Sequence, residues 1–270
     1  GYCTDAEQTV ALVARVLRGR PLDRLINTHL HSDHCGGNAA LQARWPAMRT
    51  LIPPGLAAAV AAWDPVALGY EPEGQVCPRF RHDALVLPGT EVELGDRPWA
   101  VHAAPGHDPD SVILFEPRSG TLISADALWE HGFGIVFPEL EGESAFDEVS
   151  RTFDLIEGLR PRWVIPGHGR VFRFGTEVLD RARERLEAFV RNPSRHARHA
   201  AKVLLKFRML EMRQVAFDEL VCWAESTPRF RSLHHRLASG EPMAGWIDQL
   251  TQELVHSRVL RRVGDTLHDA

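Results

Sequence analysis

The chain is short of several things. Only two lysines, Lys202 and Lys206, and two tyrosines, Tyr2 and Tyr70, occur among 270 residues. No stretch approaches the ~18 apolar residues that a membrane helix needs, so no membrane span is expected. The four cysteines, Cys3, Cys35, Cys77 and Cys222, never fall as C-x-x-C, which excludes a zinc ribbon or a thioredoxin-type redox motif. Scattered in this way they read as reduced thiols, and with no signal peptide in view the expected compartment is the cytoplasm. There is no excess of positive charge either. The net charge of -5 argues against a whole-protein nucleic-acid binder, because neutralising phosphates takes a basic surface. What the chain has in plenty is histidine, fourteen in all.

Hydrophobic periodicity predicts a helix over 5–18, a buried strand over 25–28, a short helix over 39–45 and a strand over 50–52. This alternation is that of a layered α/β fold. Residues 53–80 hold five prolines and read as a long irregular loop of the kind that carries function. Strands are predicted over 99–103, 112–115, 122–124 and 163–165, with an amphipathic helix over 146–159. Beyond residue 174 the strands stop and helical stripes take over. The first runs through Val178, Leu179, Ala182, Leu186, Phe189 and Val190, the second through Ala200, Val203, Leu204, Phe207 and Leu210. Helices follow at 217–225, 228–237 and 243–256. Two domains are therefore expected, 1–174 and 175–270.

The chemistry is concentrated in Thr28-His29-Leu30-His31-Ser32-Asp33-His34, directly after a strand. Three imidazoles and a carboxylate in six positions suit a borderline metal such as Zn(II). An extended backbone would place His29, His31 and Asp33 on one side and turn His34 toward a neighbouring ion. Three later strands each end at a further candidate: His107 in Ala-Pro-Gly-His-Asp, Asp126 in Ile-Ser-Ala-Asp, and His168 in Pro-Gly-His-Gly. Five histidines and two aspartates are enough for two ions with open positions.

In this order and spacing the pattern T-H-x-H-x-D-H, P-G-H, Asp, P-G-H-G resembles the metallo-β-lactamase superfamily in its dinuclear, glyoxalase II-like branch, over roughly residues 1–174. The resemblance implies a four-layer αββα sandwich with a smaller helical C-terminal domain. It implies that His29, His31 and His107 hold one divalent metal and Asp33, His34 and His168 a second, with Asp126 bridging. Asp33 is taken as the catalytic carboxylate as well. Zinc is favoured, with iron or manganese as alternatives. A water between two cations loses its proton near neutral pH and becomes a nucleophile, so no Ser or Cys nucleophile is needed and Cys35 is read as a packed neighbour. Strands precede the first helix in that superfamily. Here Gly1-Tyr2 reads as the tail of one, and an N-terminal segment is expected to be missing.

The resemblance also sorts substrates. An aspartate bridge argues against β-lactam hydrolysis. The full ligand set argues against mononuclear sulfur dioxygenases, and flavodiiron oxygen reductases would need another carboxylate and a flavin domain. Hydrolysis of a small-molecule thioester or ester leads, with lactones as an alternative. Glutathione recognition is left open, because glutathione sites of that branch use Tyr and Lys, both scarce here. A ribonuclease-like reading rests on the tail, where twelve basic residues face five acidic ones between 170 and 213. The end of the chain resembles a winged-helix unit whose hairpin turns at Gly264-Asp265. The would-be recognition helix carries Asp248 and Glu253 and no Arg or Lys, so nucleic acid is not favoured as a partner. A non-enzymatic metal-dependent sensor is the remaining alternative. Trp129, His131, Phe133 and Phe137 are candidate pocket residues, and Arg170 and Arg173 are candidates to meet an anionic substrate.

Overall fold

The computed structural model describes residues 1–270. Helix α1 (Ala6–Leu17) leads into β1 (Arg24–Ile26), the helical turn α2 (Ser32–Cys35), α3 (Asn38–Arg44), β2 (Arg49–Ile52), α4 (Ala57–Ala62) and β3 (Ala84–Leu85). Strands β1, β2 and β3 form a parallel sheet in that order. A second sheet takes β4 (Glu91–Leu94), β5 (Arg97–Ala103), β6 (Val112–Glu116), β7 (Thr121–Ala125), β8 (Trp163–Pro166) and β9 (Phe172–Arg173) side by side. All its pairs are antiparallel except β7 with β8, which are joined through α5 (Phe137–Glu141) and α6 (Phe146–Leu159).

The strand β6 shows how the layers arise. Side chains alternate across a strand, and all five of its residues are buried. Val112 and Leu114 face the other sheet with Ile26, Leu51 and Val101. Ile113 and Phe115 face Phe153 and Ile156 of α6. On the outer side of the first sheet, Ile52, Val60, Leu68 and Tyr70 form the remaining layer. The result is the expected αββα sandwich with a smaller helical unit after it.

That unit holds α8 (Pro193–Met212), β10 (Gln214–Ala216), α9 (Phe217–Ser226), α10 (Pro228–Ala238), α11 (Met243–His256), β11 (Leu260–Val263) and β12 (Thr266–Asp269). Its three strands pair in the order β10-β12-β11, and the hairpin turns at Gly264, whose φ of +58° suits glycine. This helix–strand–helices–hairpin order resembles that of a winged helix. No helix of the structure is long and apolar enough to cross a membrane.

Four local expectations change. Gly1-Tyr2 belongs to no strand and leads into a 3₁₀ turn, Cys3–Asp5. The chain is not extended through Asp33, because α2 starts at Ser32. The loop after Ile52 contains α4. The division at residue 174 also misplaces α7 (Thr176–Arg191). Val178, Leu179, Ala182, Leu186 and Phe189 of that helix bury among Phe153, Val164 and Phe172 of the sandwich. A separate core, around Leu204, Phe230 and Trp246, begins with α8. By packing, then, the change of unit falls at Asn192, which also caps α8 by accepting from the Arg195 N–H. A helical stripe shows that one face is buried, not against which neighbour.

The tail docks through His196. Its Nε2 accepts from the Val136 N–H at 3.1 Å, and its ring packs on Phe146 and Phe189. Burial, then Arg236 and Arg185, hold this imidazole at about 4, whereas an unfolded histidine titrates near ~6.5. Between those values the unfolded chain binds the extra proton. The stabilisation is therefore complete above about pH 6.5 and is lost as pH falls toward 4, by at most roughly 3 kcal/mol. Replacing His196 with glutamine should flatten this limb of the stability curve, measured as urea midpoints at pH 7 and pH 5. Equal midpoint shifts in both proteins would assign the acid sensitivity elsewhere.

Candidate metal centre

Four segments meet at one edge of the sandwich, each leaving the end of a strand. Residues 27–34 follow β1, and the Val112 N–H donates to the Thr28 carbonyl at 2.9 Å, stitching them to β6. His107 follows β5, Asp126 follows β7 and His168 follows β8. Ala125 has φ +48°, a left-handed conformation costly for a residue with a Cβ, and it turns Asp126 into the site. Gly167 lies against Asp126 so closely that a Cβ there would come within 2.0 Å of Oδ1.

All seven candidate side chains converge. His107 Nε2 is 2.8 Å from His31 Nδ1. Asp126 Oδ2 faces His34 at 3.3 Å, His107 and His168 at 3.4 Å and His29 at 4.0 Å. Asp33 Oδ2 lies 3.0 Å from His168 Nε2 and 3.4 Å from His34 Nε2. Donor atoms within 4.8 Å of one another form three groups: His29/His31/His107, His29/His34/Asp126 and Asp33/His34/His168. The first and last share no residue, and Asp126 stands between them.

The donor set fits cations. His29 Nε2, His34 Nε2, His168 Nε2 and Asp33 Oδ2 are buried, and their close approaches to one another and to Asp126 lack hydrogen-bond geometry. Leaving such atoms unpaired costs about 1–3 kcal/mol each, and metal coordination would satisfy all four at once. Burial holds His31 and His107 down to about 4, so each offers a free lone pair at neutral pH. Burial opposes charge on Asp33, but His34 and His168 outweigh it and bring the carboxyl to about 2. Burial likewise opposes charge on His168, but Asp126 and Asp33 push it up to about 10, which marks the negative potential that a dication would meet there.

Outer contacts orient these groups. His107 Nδ1 meets the Ile135 carbonyl at 2.5 Å, which leaves Nε2 for the site. Trp129 Nε1 donates to Asp126 Oδ1 at 3.3 Å, leaving Oδ2 for the imidazoles. A Cβ at Gly134 would reach 2.4 Å from His107 Nδ1, so that position must stay bare. Asp108, which the sequence reading passed over, lies 3.7 Å from His31 Nε2.

Beside the centre opens a cavity of about 340 Å³ that includes His31 in its wall. Of the four expected pocket residues, Phe137 stacks near His31 and lines the cavity, and Trp129 packs on His168. Phe133 instead sits in the core against Phe153, and His131 is solvent-exposed. Arg170 and Arg173 are exposed and do not line the cavity; Arg229 of α10 does. It donates to Glu73 at 2.7 Å and also to Glu141. Phe207 of α8 lines the cavity too, and its ring stacks over His168 at 6.3 Å. Residues so far along the chain carry no local signal of this role. Cys35 points away: its Sγ donates to the Leu30 carbonyl at 3.3 Å and lies 3.1 Å from the Tyr70 hydroxyl.

A profile of the metallo-beta-lactamase superfamily matches residues 1–168. The chain is similar to YobT of Bacillus subtilis, 24% identical over 174 residues that span 61% of this chain and 74% of that protein. It is also similar to a hydroxyacylglutathione hydrolase of Thermosynechococcus vestitus, 29% identical over 158 residues. That match spans 58% of this chain and about half, 53%, of the hydrolase. Among solved structures, the BLEG-1 B3 metallo-beta-lactamase superposes with a TM-score of 0.53 at 21% identity, over 66% of this chain and 80% of that one, a likeness of fold.

Proposed function

Because the chain belongs to the metallo-beta-lactamase superfamily, we propose that it is a hydrolase with two divalent cations that cleaves a small-molecule thioester or related ester. His29, His31 and His107 would hold one cation, Asp33, His34 and His168 the other, and Asp126 would serve both. The nitrogen-and-carboxylate donor set favours zinc and also accepts iron or manganese. When bound, such a pair supplies a Lewis acid and a nucleophile competent at neutral pH.

The rest falls to the chain's own side chains. Trp129 and the Ile135 carbonyl hold Asp126 and His107 in register, so the donors need little rearrangement. Asp33, placed between His34 and His168, keeps its charge through the neutral range. Phe137 and Phe207 offer apolar surface for an acyl group next to His31 and His168.

One observation carries the choice of substrate class. The cavity wall bears Glu73, Asp108, Asp110, Glu141 and Glu143 against a single guanidinium, Arg229, which Glu73 and Glu141 already engage. A phosphodiester backbone would meet repulsion there, whereas a neutral acyl ester or thioester would not. The division of labour follows: the sandwich carries the donors, and the tail closes the cavity with Phe207 and Arg229.

The test is a substrate panel on zinc-loaded protein. A neutral acyl thioester should exceed a phosphodiester in kcat/KM by at least about a hundredfold, close to 3 kcal/mol of barrier. A phosphodiester turned over best would reverse the reading. Phe207→Ala should raise KM for the thioester severalfold with kcat nearly kept, as removal of uniform binding does.

A further inference from the structure

A second cavity, of about 390 Å³, lies on the tail side of the molecule, and none of the seven candidate metal donors lines it. Arg185 of α7 and Arg195, Arg198, His199 and Lys202 of α8 form its polar wall, with no carboxylate among the lining residues. Arg185 is its floor. The guanidinium lies over the rings of Phe133 and Phe189, 5.4 and 5.3 Å from their centroids. It makes one side-chain hydrogen bond, to His199 Nε2 at 2.6 Å. A guanidinium carries five N–H donors, so most of its capacity is unspent.

Charges of one sign gathered without a counterion oppose one another. Burial, then Arg195, lowers Arg185 from its ordinary value. Burial, then Arg185, holds His199 at about 3, so the imidazole is neutral and accepts the Arg185 proton at Nε2. Glu253 of α11 engages Arg198 at 2.5 Å and Lys202 at 3.0 Å, while Arg185 and Arg195 make no ion pair with a carboxylate. Two near-perpendicular rings within 5.4 Å and the hydrogen bond to His199 confine the Arg185 fork, and a confined fork matches two oxygens of a phosphate.

We propose that this cavity is a binding site for the phosphate group of a small phosphorylated ligand, held bidentately by Arg185 with Arg195 at the rim and Arg198 and Lys202 on the wall. A small ligand suits the place better than a polynucleotide. Glu253 interrupts the basic surface, and α11 presents Asp248 and Glu253 and no Arg or Lys, so no continuous basic stripe runs on from the site. The site also touches the metal centre through one loop. Arg185 Nη1 would be 2.5 Å from a Cβ at Gly132, while Trp129 and Gly134 of the same loop contact His168 and His107.

The test is a titration of the zinc-loaded full chain with pyrophosphate, followed at the His199 imidazole resonances, with the Arg185 and Arg195 variants separating this site from an anion held at the metal centre. Saturable shifts that weaken as salt rises are expected. Arg185→Gln should abolish them, and Arg195→Gln, on the exposed rim, should weaken them by about fivefold or more. Should Arg185→Gln not fold, Arg195→Gln alone decides. Unmoved resonances up to millimolar pyrophosphate, or an affinity unchanged in Arg195→Gln, would overturn the site. A single-stranded oligoribonucleotide that shifts the same resonances at tenfold lower concentration would overturn the small-ligand assignment in favour of nucleic acid.

Discussion

Replacing Asp126 with alanine should take the protein from two metal ions per chain toward one and lower turnover by at least about a hundredfold, the upper range seen when the surroundings of a bound metal are damaged. The reason is the position of Oδ2, between 3.3 and 4.0 Å from the Nε2 atoms of four different imidazoles. Without that carboxylate the group His29/His34/Asp126 disappears, and two dications would face each other with no charge between them. The left-handed Ala125 and the close approach of Gly167 serve to place this one side chain, so the alanine variant retains the fold and loses the function they support. Cys35→Ala is the companion experiment. Its thiol is spent on the Leu30 and His31 carbonyls and on Tyr70, at a cost on removal of about 1 kcal/mol of stability. Both metals and nearly full turnover should survive. Metal analysis beside kinetics separates the cases: turnover lost in Cys35→Ala with both metals in place would put a thiol nucleophile in the mechanism.

The two variants also mark how far the sequence could be read. His29, His31, Asp33 and His34 announce themselves because they are neighbours in the chain. His107, Asp126 and His168 do so because each ends an apolar strand. What the strand-end pattern could not convey is local geometry. Asp33 and His34 share a helical turn, not an extended edge, because the chain begins to coil at Ser32. Residues recruited by tertiary packing gave no signal at all. Phe207 reaches His168 only because α8 crosses the sandwich edge. Arg229 finds Glu73 across 156 positions. The acidic character of the cavity is equally silent in a count of charges, since Glu73, Asp108 and Glu141 come from separate segments while the basic tail residues gather elsewhere, around Arg185.

The same distinction between a stripe and its partner makes truncation informative. A chain ending at residue 174 should not fold. It lacks α7, and with it five side chains buried in the sandwich, Val178, Leu179, Ala182, Leu186 and Phe189. At about 1.5–3 kcal/mol for each large apolar side chain, this loss rivals the whole net stability of a typical domain, about 5–15 kcal/mol. A chain ending at residue 192 keeps α7 and the sandwich core. It uncovers Ile135 and Leu140, which pack against the tail, so its melting temperature should fall by several degrees. All seven candidate donors lie before the cut, so metal content should stay at two per chain. The cavity, however, loses Phe207 and Arg229, and Glu73 is left without its guanidinium. KM for the thioester should rise by about tenfold or more while the metals remain, a split that a purely structural tail would not produce. If the chain ending at 192 turned over every substrate as well as the full chain does, the cavity would belong to the sandwich alone. If the chain ending at 174 folded and bound two metals, α7 would be no part of the sandwich core.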